Sequence, residues 1–126
     1  TGGSQLDEAQ GGWLTFAPTA VPFTGNETAP EALSLEGIQK VVADFRAAAK
    51  RALQAGFKVI EIHAAHGYLI HEFLSPLSNH RTDEYGGPFE NRIKILLDII
   101  AAIRQEWPDE LPLFVRISAS DWTEGG

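Results

Sequence analysis

The sequence predicts an α/β fold, and three observations predict it. Two stretches carry apolar residues at helical spacing, each is followed by a short β-branched run, and the order is helix, strand, long loop, helix, strand. Parallel neighbours need a covering crossover between them, and that order supplies one in the right-handed sense that such crossovers take. Two strands and two helices cannot bury both faces of a sheet. The chain therefore reads as about a quarter of an (α/β)₈ barrel or as part of an open doubly wound sheet.

Residues 1–34 are rich in Gly, Pro, Thr and Ser, and Pro18, Pro22 and Pro30 exclude a long regular element. The expectation is a connecting segment with room for a short hairpin around Trp13-Leu14-Thr15-Phe16. Ser34 then caps a helix whose positions Ile38, Val41, Val42, Phe45, Ala48, Ala49, Ala52 and Leu53 share one face, with Gly56 placed to end it. Phe57–His63 follows as a buried strand. About 25 residues of loop-like sequence come next, longer than most connections in compact domains and so a candidate binding loop. A second helix runs from near Pro88 to about Trp107, with Ile93, Leu96, Leu97, Ile100 and Ile103 on one side. Leu113–Ile117 is the second buried strand.

Composition narrows the function. The chain has 126 residues, 44% hydrophobic and 21% charged, which suits a packed core. Its seventeen acidic and ten basic side chains give a net charge of −7 without a basic cluster. Nucleic acid and anionic membranes are thus poor partners, and small-molecule chemistry is the better expectation. No apolar run approaches the ~20 residues that span a bilayer. Without cysteine there is no disulfide, Cys-ligated zinc or iron–sulfur cluster in this segment. A chain without methionine that starts at Thr1 and stops at Gly126 reads as an excerpt of a longer protein.

In either architecture ligands meet the carboxyl ends of the strands. His63, His66 and Tyr68 lie at that end of the first strand, Arg116 and Ser118 at that end of the second. Side-chain alternation puts Val59, Glu61 and His63 on one face and Ile60 and Ile62 on the other, which should meet the helices. His63 then points inward, and Arg116 falls on the inward side with Phe114 and Ser118. Glu61, also inward, is positioned to pair with Arg116 or another cation.

The stretch His63-Ala64-Ala65-His66-Gly67-Tyr68-Leu69-Ile70-His71-Glu72-Phe73-Leu74-Ser75-Pro76, followed by Ser78-Asn79-His80-Arg81-Thr82-Asp83-Glu84-Tyr85-Gly86-Gly87 and Glu90-Asn91-Arg92, resembles the central signature of the Old Yellow Enzyme family. The resemblance runs from about Trp13 to Asp121 and includes Val115-Arg116-Ile117-Ser118. It implies a single TIM (β/α)₈ barrel domain that holds FMN at its mouth. Residues 1–34 would be its connecting segment and residues 35–126 two αβ units of the barrel. It also implies an NAD(P)H oxidoreductase that reduces activated alkenes such as enones and nitroalkenes, with NADPH or NADH as reductant.

Position by position, His63 and His66 resemble the pair that grips the substrate's electron-withdrawing oxygen, Tyr68 the proton donor, and Arg116 the arginine beside the flavin's N1 edge. Ala64 and Ala65 complete the substrate-binding stretch. Histidine at both substrate positions is similar to the bacterial NADPH dehydrogenase and xenobiotic reductase branch. The implied parent is a cytoplasmic homo-oligomer acting on small molecules, and the excerpt alone should be inactive, because the family's phosphate-binding loops lie outside it.

The chemistry suits these groups. Reducing an activated alkene builds negative charge on a carbonyl or nitro oxygen, and two imidazole N–H donors across a tight turn can converge on it. A phenol with an ordinary pKa near 10 keeps its proton at neutral pH for delivery to carbon. Gly67 lets the backbone turn between His66 and Tyr68. Two other readings remain. One is a 2,4-dienoyl-CoA reductase-like flavoenzyme; the other is a metal-dependent TIM-barrel hydrolase using His63, His66, His71 and Glu72. The His-Glu-x-x-His pattern is absent, and no metal is expected. His71 and His80 read as structural or solvent-facing, and Arg81, Asp83, Tyr85 and Arg92 as a network that pins the loop.

Overall fold

The computed structural model describes residues 5–25 and 27–126; residues 1–4 and 26 of the predicted connecting segment lie outside the described part. The segment opens with a single 3₁₀ turn, Glu8–Gln10, closed by a capping box between Asp7 and Gln10. Strand β1 (Phe16–Ala17) then pairs with β2 (Glu31–Ala32). The pairing is parallel, so the hairpin expected here does not form. The prolines between the strands carry the chain around a wide excursion rather than a tight reversal.

Helix α1 (Leu35–Gln54) begins where predicted, with the Ser34 hydroxyl accepting from the Gly37 amide at 3.0 Å. Glu36 in the first turn and Arg51 in the last complement the helix dipole. It ends before Gly56, whose φ of 89° is left-handed and open to glycine without cost. Ile38 and Ala49 are buried and Val41, Val42, Phe45, Ala52 and Leu53 pack beside them, while Ala48 is exposed against expectation.

Strand β3 (Ile60–Ala64) starts three residues later than the sequence suggests. Its partner β4 (Leu113–Ile117) falls on the predicted residues but is not the buried strand expected, since Val115 and Ile117 are exposed as well as Phe114 and Arg116. They run parallel, in the register Ile60↔Leu113 through Ala64↔Ile117. Between them the region read as continuous loop contains a short helix, α2 (Leu69–Leu74), with Ile70 and Phe73 buried. Six residues are too few to be stable alone or to show a period, so tertiary packing and not propensity makes this helix.

The second predicted helix is divided into α3 (Phe89–Arg92) and α4 (Lys94–Arg104) at Ile93, which keeps helical torsions, so one runs into the other. Its buried residues are Ile95, Ile99, Ala102 and Ile103. Of the predicted stripe Ile103 is buried and Leu96 and Ile100 pack against the core, while Leu97 is 53% exposed, so the core face is turned toward Ile95 and Ile99. A segment apolar nearly all round does not fix its own phase. Trp107, also expected in the helix, lies past its end, fully buried, with its indole N–H donating to the Pro112 carbonyl at 3.2 Å. Helices α1 and α4 pack together over one face of the β3–β4 pair. Glu61, His63, Phe114 and Arg116 are exposed on the side away from Ile62 and Ala64, which are buried. Among the described residues no helix is long and apolar enough to cross a membrane.

Candidate active site

The site begins where β3 ends. The chain reverses through His66 (φ 59°) and Gly67 (φ 76°), two successive left-handed residues. A side chain in that region costs about 1–2 kcal/mol, and such conformations persist only where the surroundings hold them. Here three consecutive amides are each given an acceptor. His66 N–H donates to Ser118 Oγ at 3.0 Å, Gly67 N–H to His71 Nδ1 at 2.8 Å, and Tyr68 N–H to the Ala65 carbonyl at 3.2 Å. A Cβ on Gly67 would meet nothing within 4 Å, so glycine is needed there for its torsion rather than for space.

This turn gathers three rings. The His63 and His66 centroids lie 5.0 Å apart at 71°, and the His63 and Tyr68 centroids 5.1 Å apart at 60°. Tyr68 is 63% exposed, in extended conformation at the N-terminus of α2, where its side chain caps nothing. Among the described residues the hydrogen bonds of the turn go to its backbone amides and none to the imidazoles or the phenol. Polar groups with that capacity unspent, on one open face, are free to engage a ligand. Ala64 and Ala65, expected in the substrate-binding stretch, have no exposed surface and do not reach the open face.

Across the sheet, His63 stands in register with Arg116. Arg116 Nε donates to Glu61 Oε1 at 2.7 Å and Nη2 to Oε2 at 3.4 Å, the ion pair anticipated from strand alternation. The Glu61 carboxylate raises the arginine's pKa above its ordinary value. Both side chains are well exposed, and Arg116 Nη1 makes no hydrogen bond among the described residues. The open face thus combines a permanent cation, two imidazoles and a phenol at the carboxyl ends of adjacent parallel strands.

The other singled-out residues are committed elsewhere. His71 Nε2 faces Asp121 Oδ1 at 2.9 Å, and the His80 amide donates to Thr19 Oγ1. Glu72 borders a cleft of about 510 Å³ against the 15–30 segment, and burial raises its carboxyl pKa while His71 works the other way. His63, His66, His71 and Glu72 do not converge, and among the described residues no three His, Asp or Glu side chains form a group able to hold a metal ion. Arg81, Asp83, Tyr85 and Arg92 pin the loop. Arg81 forms a two-pronged pair with Asp83 at 3.0 and 2.5 Å and donates to the carbonyls of Pro18 and Leu33, tying the loop to the N-terminal segment. Arg92 donates to the carbonyls of Leu74 and Gly87. The role of Ser118 as acceptor for His66, and that of Asp121 as partner of His71, left no trace in the sequence, since each pair is separated by about fifty residues.

The sequence profile of the NADH:flavin oxidoreductase / NADH oxidase family matches residues 6–126. An NADPH dehydrogenase of Bacillus subtilis (strain 168) is 59% identical over 111 residues, 88% of this chain and 32% of that protein. An NADH:flavin oxidoreductase of Gibberella zeae is 57% identical over 117 residues, 90% of this chain and 28% of that one. Among solved structures, morphinone reductase in complex with tetrahydroNAD superposes with a TM-score of 0.77 at 34% identity, over 85% of this chain and 33% of that chain. The complex of 2-naphthoyl-CoA reductase with 2-naphthoyl-CoA gives 0.84 at 36% identity, over 91% and 18%. The chain therefore spans about a third of the length of the curated relatives it matches. Its α/β architecture is part of the TIM barrel of these enzymes, as the resemblance to Old Yellow Enzyme implied. With nearly every described residue inside the matched region and the exposed ring cluster at its centre, the chain belongs to the NADH:flavin oxidoreductase / NADH oxidase family.

Proposed function

We propose that this chain carries the substrate-polarising and proton-donating part of an FMN-dependent NAD(P)H oxidoreductase that reduces activated alkenes. The observation that carries the reading is the cluster of His63, His66 and Tyr68, with ring centroids about 5 Å apart and hydrogen-bonding capacity unspent, beside Arg116. The donor set fits a flavin at one edge: a guanidinium that is always charged, with Nη1 uncommitted among the described residues, suits the N1 side where a reduced flavin carries negative charge. Arg116 would hold that edge. When bound, FMN supplies two-electron hydride chemistry, replenished by NADPH or NADH.

The chain's own residues do the rest. The imidazole N–H groups of His63 and His66 donate to the carbonyl or nitro oxygen of the substrate and stabilise the charge that grows there. The Tyr68 phenol delivers its proton to the α-carbon, and the pinned 79–92 loop keeps the neighbouring wall in place. The substrate is a small molecule with an electron-withdrawing group; the whole protein is read as a cytoplasmic homo-oligomer with a single barrel domain. A second reading, with an acyl-CoA thioester carbonyl as that group, is favoured by the likeness to 2-naphthoyl-CoA reductase. The test is the visible spectrum of the purified full-length protein during anaerobic addition of NADPH, then cyclohexenone or an enoyl-CoA. Flavin absorbance that bleaches with NADPH and returns with the enone supports the first substrate class, and return only with the thioester supports the second. A colourless protein that does not bind added FMN would overturn both.

A further inference from the structure

We propose that His71, oriented by Asp121, is the positioning residue of the Gly67 turn and so determines where the Tyr68 phenol and the His66 imidazole stand. Its Nδ1 accepts from the Gly67 amide at 2.8 Å, so that nitrogen carries no proton. The proton is on Nε2, which faces Asp121 Oδ1 at 2.9 Å. The other carboxylate oxygen accepts from Ser75 Oγ at 2.6 Å, and the Ser75 oxygen accepts in turn from the Leu77 amide. The His71 and Asp121 side chains are only 16% and 15% exposed, so water competes little for these bonds.

Asp121 therefore selects the one neutral tautomer of His71 that leaves a lone pair for Gly67. The segment after β4 consequently holds both left-handed residues, His66 directly through Ser118 and Gly67 through the Asp121–His71 pair. The remaining bonds of the turn are local backbone ones, the Tyr68 amide to the Ala65 carbonyl and the Glu72 amide to the Tyr68 carbonyl. None of the three rings is hydrogen-bonded among the described residues, and α2 begins at Tyr68 without a side-chain cap. Removing the acceptor at Gly67 releases the turn on which the ring cluster stands.

The kinetic consequence rests on the proposed alkene reduction, whereas the structural consequence does not. The test uses the flavin-loaded full-length protein, with His71→Leu, His71→Asn and Tyr68→Phe variants. An asparagine carbonyl can stand where Nδ1 does and accept from Gly67 without Asp121. The expected result in the wild type is an unprotonated His71 Nδ1 by imidazole ¹⁵N shifts. Hydrogen exchange at the Gly67 amide should be roughly tenfold faster in His71→Leu and near the wild-type rate in His71→Asn. Alkene-dependent kcat should fall roughly tenfold in the leucine variant and recover in the asparagine variant, at unchanged flavin content. A protonated Nδ1, unchanged Gly67 exchange in His71→Leu, or equal losses in both His71 variants would overturn the proposal. If Tyr68→Phe leaves alkene reduction untouched, the functional reading fails, and Gly67 exchange still decides the positioning role.

Discussion

Two polar stretches of the chain look alike in sequence and are used in opposite ways. The 79–92 loop commits the side chains of Asn79, Arg81, Asp83, Tyr85, Asn91 and Arg92 to the protein itself. Asn79, 4% exposed, donates to the carbonyls of Phe73 and Tyr85 at 2.7 Å and accepts from the Arg81 amide, while Asn91 donates to the Gly86 carbonyl. In the 63–68 turn only the backbone is satisfied, and the side chains of His63, His66 and Tyr68 are left on the open face. Polarity alone does not identify a site. The sharper criterion is a held backbone that presents unspent side chains.

That contrast can be broken by substitution. The largest effect is expected at the turn. His63→Ala or His66→Ala should slow reoxidation of the reduced full-length enzyme by an enone about 10²–10³-fold, or about 2.7–4 kcal/mol, in a stopped-flow trace, with little change in urea midpoint. Asn79→Leu should do the reverse. It leaves two buried carbonyls unpaired and should cost about 3 kcal/mol in urea denaturation while single-turnover rates stay within a few-fold. A loss of activity without a loss of stability in that variant would blur the division between the regions.

A smaller effect is expected from Tyr85→Phe. The Tyr85 hydroxyl donates to Asp98 at 2.9 Å and accepts from Lys94, and both burial and Asp98 hold its proton on. Its removal should cost about 1 kcal/mol, read from the thermal midpoint. The smallest is a pH effect at Asp83, whose pKa is lowered chiefly by the Arg81 hydrogen bonds. A depressed folded-state pKa stabilises the fold above the unfolded value of about 3.9, and that contribution is lost as the pH falls through the folded value. Because the pair is partly exposed, the stability difference between wild type and Asp83→Asn should be under about 1 kcal/mol at pH 6. It should shrink further as the pH drops below 4; a difference that grows instead would contradict the sign.

How far the sequence was legible follows from how local each cause is. The cap at Ser34, the alternation in β3 and the Glu61–Arg116 pair depend on near neighbours or on strand period and were readable, whereas β4 shows no such alternation, Val115 and Ile117 being exposed. The phase of α4 was readable only in part. Leu96, Ile100 and Ile103 meet the core as the spacing suggests, but Ile95 and Ile99 take its centre and Leu97 is exposed, because Ile93 to Ile103 is apolar on most sides and packing against α1 chooses the face. Helix α2 was missed because six residues carry no period. The parallel pairing of β1 with β2 depends on a long excursion rather than on a turn signal. At the site, the positions of His63, His66, Tyr68 and Arg116 at the strand ends came from topology and from the family resemblance. The left-handed torsion of His66 and its Ser118 acceptor required the fold.

The most direct measurement is the reoxidation rate of the anaerobically reduced, full-length Tyr68→Phe variant by cyclohexenone, compared with wild type and with reduction of each by NADPH. The Phe ring preserves the aromatic packing of the cluster and removes only the hydroxyl that carries the proton. Reoxidation by the enone should slow about 10²–10⁴-fold while reduction by NADPH is unchanged within a few-fold. Equal reoxidation rates in the two proteins would contradict the assignment of the turn as the site of proton delivery.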